Sequence, residues 1–128
     1  MRIETDSIDD QTVVCRLSGE LDAYTAPDLR DTLDEQVAAG CRWIIVDLAD
    51  LKYLDSTGLG ILVGTAKKCR QADGDLAVAC NARNLLKIFQ ISGTQEILNV
   101  VPDVDAAMKR LRELAQARGE TAGDEEGT

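Results

Sequence analysis

At 128 residues the chain is long enough for one domain with a single core and too short for two ordinary ones. Its 14 Lys and Arg against 23 Asp and Glu leave a net charge of −9, which sets it against a phosphodiester backbone or an anionic lipid surface as partner. With no His anywhere, neither a mixed Cys/His zinc site nor a His-based hydrolase triad can be assembled, and neither metal nor cofactor is expected.

Part of the charge is local. Gly119 to Thr128 holds Glu120, Asp124, Glu125 and Glu126, no basic residue and almost nothing apolar, so residues 119–128 are expected to form an acidic, disordered, solubilising tail beyond a domain at 1–118. No apolar run approaches the roughly 18 to 20 residues of a membrane helix, and the acidic Met1 to Asp10 has no signal-peptide pattern. A cytoplasmic location is the expectation. Cys15, Cys41, Cys69 and Cys80 are widely spaced with no C-x-x-C pair, as for small reduced core or boundary residues.

In chain order, a possible edge strand around Ile3 leads to Thr12–Ser18, a strand-like run with Val13, Cys15 and Leu17 on one face; the two can form a hairpin. Gly19 to Asp22 reads as a loop. Thr25, Ala26 and Pro27 open a helix whose Leu29, Leu33 and Val37 make one apolar stripe before Gly40. Trp43–Leu48 is nearly continuous apolar sequence, the pattern of a central strand covered on both faces. After a short linker, Asp55-Ser56-Thr57-Gly58 opens a second helix marked by Leu59, Leu62, Val63 and Ala66 and closed by Gly74. Leu76–Ala79 is a strand, Asn84–Ile91 a short helix stopped near Ser92-Gly93, and Ile97–Val101 a last strand or extended segment. Val104, Ala107, Met108, Leu111 and Ala115 mark a final amphipathic helix. The alternation predicts a single α/β domain with a mixed, mainly parallel central sheet and helices packed against it.

Ser56 is the residue best placed for chemistry, an exposed hydroxyl where a buried strand gives way to a helix. It can cap that helix, and the positive end of the helix dipole also favours a phosphate there. Asp55 serves the helix start more naturally than it serves as a base for Ser56. Asp47, at the end of the apolar strand, lacks the acid cluster and the later lysine that a phosphorylated receiver aspartate needs, and reads as structural. Gly58, Gly60 and Gly64 have no G-K-[ST] and suggest close helix packing, not a phosphate loop.

The segments L-S-G-E-L-D (Leu17 to Asp22), V-D-L (Val46 to Leu48), Y-L-D-S-T-G-L-G (Tyr53 to Gly60) and I-S-G (Ile91 to Gly93), in that order and spacing, resemble the STAS domain in its free-standing anti-sigma factor antagonist form. The resemblance covers about Ile3 to Arg118. It implies a mixed sheet with helices on one side and a key serine at the start of the second helix. It further implies a partner-switching module and not an enzyme. The unphosphorylated chain would bind an anti-sigma factor that is also a serine kinase of histidine-kinase-like ATPase fold, freeing a sigma factor. Phosphorylation of Ser56 would end that binding, and a metal-dependent phosphatase would restore it. By similarity, Asp22 and the Asp55, Ser56, Thr57, Gly58 turn lie on the partner surface, with Leu59 and the Ser92-Gly93 turn at its edge. Thr57 stands where many relatives carry a second serine, which makes it a minor acceptor. Thr94 departs from the apolar residue that often follows S-G. The competing readings are a STAS scaffold in a stress-signalling assembly or an accessory subunit of a lipid-transport ATPase; a serine hydrolase is disfavoured by the lack of His.

Overall fold

A computed structural model describes residues 1–119 of the chain; the acidic segment 120–128 anticipated as a tail lies outside the described residues. The first two strands, β1 (Arg2–Asp9) and β2 (Thr12–Leu21), form the expected antiparallel hairpin, with Ile3 opposite Leu17 and Thr5 opposite Cys15. They are followed by α1 (Ala26–Ala38), β3 (Trp43–Leu54), α2 (Ser56–Gln71), β4 (Asp75–Ala79), α3 (Arg83–Ser92), β5 (Val100–Val101) and α4 (Val104–Ala117). The sheet order is β1-β2-β3-β4-β5, antiparallel at the first pair and parallel at the other three.

The continuous apolar run of β3 is explained by two cores. On one face Ile44, Val46 and Leu48 pack with Val13, Cys15 and Leu17 of β2, Leu29 and Leu33 of α1, Leu62 and Ala66 of α2, and Leu85 and Phe89 of α3. On the other, Trp43 and Ile45 join Val14 and Ala77 beneath Ala107 and Leu111 of α4. The expectation of helices on one side is therefore corrected: α4 covers the opposite face, as a strand apolar on both sides requires. All four cysteines are buried and unpaired, and burial pushes the thiols of Cys15 and Cys69 up to about 12, which suits inert core residues.

Three boundaries differ from the sequence reading. The Gly19 to Asp22 loop begins only at Asp22, because β2 continues through an irregular stretch in which Gly19 adopts φ +92°. A Cβ at Gly19 would stand 3.2 Å from the Met1 Cα, so the strand accepts glycine there for conformation and for space. The linker after Leu48 is strand as far as Leu54, and the last extended segment is only Val100–Val101. The longer β3 positions the site. Strand β4 stops at Ala79, opposite Asp47, whereas β2 and β3 run on together until Leu21 faces Leu54. The loops that follow these two residues consequently share one edge of the sheet, at the carboxyl ends of parallel strands, where α/β folds commonly place their sites.

Candidate functional site

Asp55 and Ser56 divide the work at this edge. Asp55 is the extended N-cap of α2, and its Oδ1 accepts from the amides of Thr57 at 3.0 Å and Gly58 at 3.2 Å. Its own amide donates to the Leu21 carbonyl at 3.2 Å, tying the helix start to the end of β2. The capping role open to Ser56 thus belongs to Asp55. Ser56 is the first helical residue, is exposed like Thr57, and among the described residues no partner engages its Oγ. Since the Asp55 oxygen is already committed to two backbone amides, it is poorly placed to act as a base for Ser56.

Gly58 explains why α2 starts so close to the sheet. A Cβ at this buried position would lie 2.5 Å from Leu21 Cγ and 2.9 Å from Leu54 Cδ1, the two residues that end the paired strands. Gly58→Ala should lower unfolding stability by about 1 to 2 kcal/mol: contacts this short call for the upper part of the overpacking range, about 2 to 3 kcal/mol, less about 1 kcal/mol for the better helix propensity of alanine. Urea unfolding checks this; a variant as stable as the parent would show that the helix start yields without cost. Gly60 and Gly64 differ, since a Cβ at either meets nothing within 4 Å, so close packing explains Gly58 alone of the three.

Asp22 opens the neighbouring turn, and it is more than an exposed loop carboxylate. Its Oδ1 accepts from the amides of Tyr24 at 2.9 Å and Thr25 at 3.1 Å, while its carbonyl accepts from Ala26 at 2.8 Å. Thr25 Oγ1 in turn accepts from the Asp22 amide at 2.9 Å and donates to the Glu20 carbonyl at 2.8 Å. Asp22 therefore has a structural role as well, since it fixes the approach to α1. The Thr25 amide, aided by the Tyr24 amide and the Thr25 hydroxyl, holds the Asp22 carboxyl below its ordinary value. A depressed carboxyl stabilises the fold above its unfolded pKa of about 3.9 and loses that contribution as pH falls through the lower folded value. Asp22→Asn should therefore lower the melting temperature at neutral pH by more than it does at pH 3. A melting difference that is constant across that range would contradict the assignment.

Ser92 and Gly93 are not brought to the same edge. Gly93 ends α3 in the left-handed conformation, and Ser92 Oγ meets Thr94 Oγ1 at 2.8 Å. The turn that follows closes from the Leu98 amide to the Thr94 carbonyl, and Arg70, near the carboxyl end of α2, donates to the Ile97 carbonyl. Ser56 lies at the other end of that helix, about 20 Å away at 1.5 Å per residue. Leu59 stays near Ser56, half-buried against the main core. Asp47 accepts from the Ala49 amide at 3.0 Å and faces Arg16 at 3.8 Å, in keeping with a structural role. Among the described residues, no group of three or more His, Cys, Asp or Glu is arranged to hold a metal ion, and no helix is long and apolar enough to cross a membrane.

Two residues at this edge escaped the sequence reading. Tyr24 is 93% exposed and Tyr53 is 48% exposed. Tyr53 stands opposite Glu20 in the β2–β3 register, one residue before the Leu21–Leu54 pair, and Tyr24 follows Asp22 by two positions.

The chain is thus an α/β domain whose second helix is capped by Asp55 and begins with the exposed Ser56. A model of the STAS domain matches residues 2–107, and the chain belongs to that family. The anti-sigma-B factor antagonist of Staphylococcus aureus is 36% identical over 100 residues, covering 78% of this chain and 92% of the relative. Among solved structures, an anti-sigma factor antagonist from Mycobacterium paratuberculosis superposes with a TM-score of 0.79 at 25% identity, covering 87% of this chain and 93% of that one. The antagonist SpoIIAA in its unphosphorylated form gives 0.76 at 24% identity, covering 88% and 97%, and its phosphorylated form gives 0.68 at 24%, covering 87% and 100%.

Proposed function

We propose that this chain is an anti-sigma factor antagonist that works as a partner switch, with Ser56 as the phosphorylated residue. The observation that carries the reading is the free Ser56 hydroxyl beside the Asp55 cap, on the edge shared with the Asp22 turn. The unmodified protein binds an anti-sigma factor with serine-kinase activity and a histidine-kinase-like ATPase fold. It thereby releases a sigma factor. Phosphate on Ser56 ends the complex, and a metal-dependent serine phosphatase resets it. The curated relatives named as anti-sigma-B factor antagonists support this reading.

The surface comprises Asp22, Asp55, Ser56, Thr57, Gly58 and Leu59. Asp55 and Gly58 act by setting the helix start, and Ser56 acts by direct exposure. The protein performs no catalysis of its own, and its place is the cytoplasm with its partners. Incubation with ATP and the anti-sigma kinase, followed by intact-mass and fragment analysis, should add one phosphate to Ser56, with Thr57 a minor acceptor. A full phosphate load retained by Ser56→Ala would remove Ser56 from the mechanism.

A further inference from the structure

We propose that the groove between the β1–β2 hairpin and α4 is the docking site of the chain's own acidic segment 120–128. The groove, about 470 Å³ in volume, is lined by Ile8 and Gln11 of the hairpin, Arg42 and Trp43 at the start of β3, and Met108 and Arg112 of α4. It lies at the amino ends of β2 and β3, where Thr12 faces Trp43, whereas Ser56 follows their carboxyl ends, where Leu21 faces Leu54. Occupation of the groove thus leaves the Ser56 surface open.

Charge selects the occupant. In a chain of net charge −9, guanidinium groups border this groove. Arg42 and Arg118 lie over the Trp43 ring, 6.0 and 5.8 Å from its centroid, and Arg112 stands exposed on the α4 side. Arg118 shares Asp75 with Arg70, which puts two cations on one carboxylate and leaves a positive excess. Among the described residues Asp9 is the only acid of the lining, and its Oδ1 accepts from the Gln11 amide at 2.8 Å. The segment 120–128 supplies Glu120, Asp124, Glu125 and Glu126 and no basic residue.

The point of attachment favours the contact. Helix α4 ends at Ala117, and Gly119, with φ +71° and its amide donating to the Gln116 carbonyl at 3.0 Å, turns the chain out of the helix directly after Arg118. Arg112 precedes Arg118 by about 9 Å along the helix axis, whereas Asp124 can stand up to about 17 Å beyond Gly119. The acids can therefore reach the arginines. An exposed ion pair alone is weak, but a short tether gives an effective concentration in the millimolar range, so a contact of millimolar affinity is about half occupied.

The test is nuclear magnetic resonance of the full chain against a variant with its four acids neutralised, Glu120→Gln, Asp124→Asn, Glu125→Gln and Glu126→Gln, the indole N–H of Trp43, the one tryptophan, serving as reporter. Shift differences should be confined to the groove, at Ile8, Gln11, Trp43 and Arg112, and should vanish in high salt. A synthetic peptide of residues 119–128 added to the neutralised chain should return the Trp43 signal towards its parent position, with half-saturation at about 1 mM. Identical Trp43 and Arg112 signals in the parent and neutralised chains would overturn the inference. So would a difference that disappears on dilution, since a second copy would then cover the groove, and so would one centred on Asp55 to Gly58, which would put the acids at the Ser56 edge.

Discussion

Asp75→Ala is expected to unfold roughly 10 °C below the parent. Asp75 begins β4 and is only 2% exposed. Its carboxylate meets Arg70 of α2 at 3.0 Å and Arg118, just past α4, at 2.9 Å, and Oδ1 also accepts from the Leu76 amide at 2.8 Å. Asn99 adds its amide at 3.3 Å. One buried acid thus ties the ends of helices on both faces of the sheet to the start of a central strand. Removing it leaves two guanidinium groups facing each other without their counterion. Because both arginine side chains are about one-third exposed, the loss should be about 2 to 3 kcal/mol, short of the 3 to 5 kcal/mol of a fully buried pair. Thermal melts of Asp75→Ala and Asp75→Asn check this, the asparagine variant being the milder since it keeps an acceptor for the Leu76 amide. A parent-like melt for the alanine variant would show that the arginines are satisfied without it. The network is remote from Ser56, so Asp75→Asn should still bind the anti-sigma partner at a temperature where it is folded.

Phosphorylation of Ser56 should leave the fold in place while weakening partner binding some hundred- to thousandfold, equivalent to about 3 to 4 kcal/mol. Phosphate adds roughly −1.5 to −2 charges and three acceptor oxygens. At a bare helix start it would find free amides, but here the Asp55 carboxylate already holds those of Thr57 and Gly58. The helix dipole still favours the anion, whereas Asp55 repels it, so the group is directed outward with little net effect on α2. A complex must cover that surface and desolvate the new charge beside Asp55, with Asp22 on the neighbouring turn. The cost therefore falls on the interface. Circular dichroism of the phosphoprotein should match the unmodified spectrum; a marked loss of helix would replace this electrostatic account with one of local unfolding.

Much of this architecture was legible because hydrophobic pattern and burial agree. Trp43 to Leu48 is apolar on both sides because it separates two cores, a feature that the pattern conveyed better than the family expectation of helices on one side. The same strand became unreadable at Ala49–Leu54, where the register with β2 slips and Asp50, Lys52 and Tyr53 are exposed beside buried Leu51 and Leu54. Gly19 looked like a turn because its need for positive φ is local, while its strand pairing is not. Ser56 stood out from its position, yet the assignment of the cap to Asp55 depended on which side chain turns back to the amides. The role of Asp22 left a signal in Thr25 three residues later, the spacing at which a side chain and a backbone can cap each other. Exposure of Tyr24 and Tyr53 left none, since composition does not distinguish a tyrosine of the core from one on the surface.

Control of one protein complex by a phosphate on Ser56 is decided by calorimetric titration of the anti-sigma factor with unmodified and Ser56-phosphorylated protein. The unmodified chain and Ser56→Ala should bind with similar affinity, and the phosphoprotein some hundred- to thousandfold more weakly. Equal affinities for the phosphorylated and unmodified forms would contradict the account.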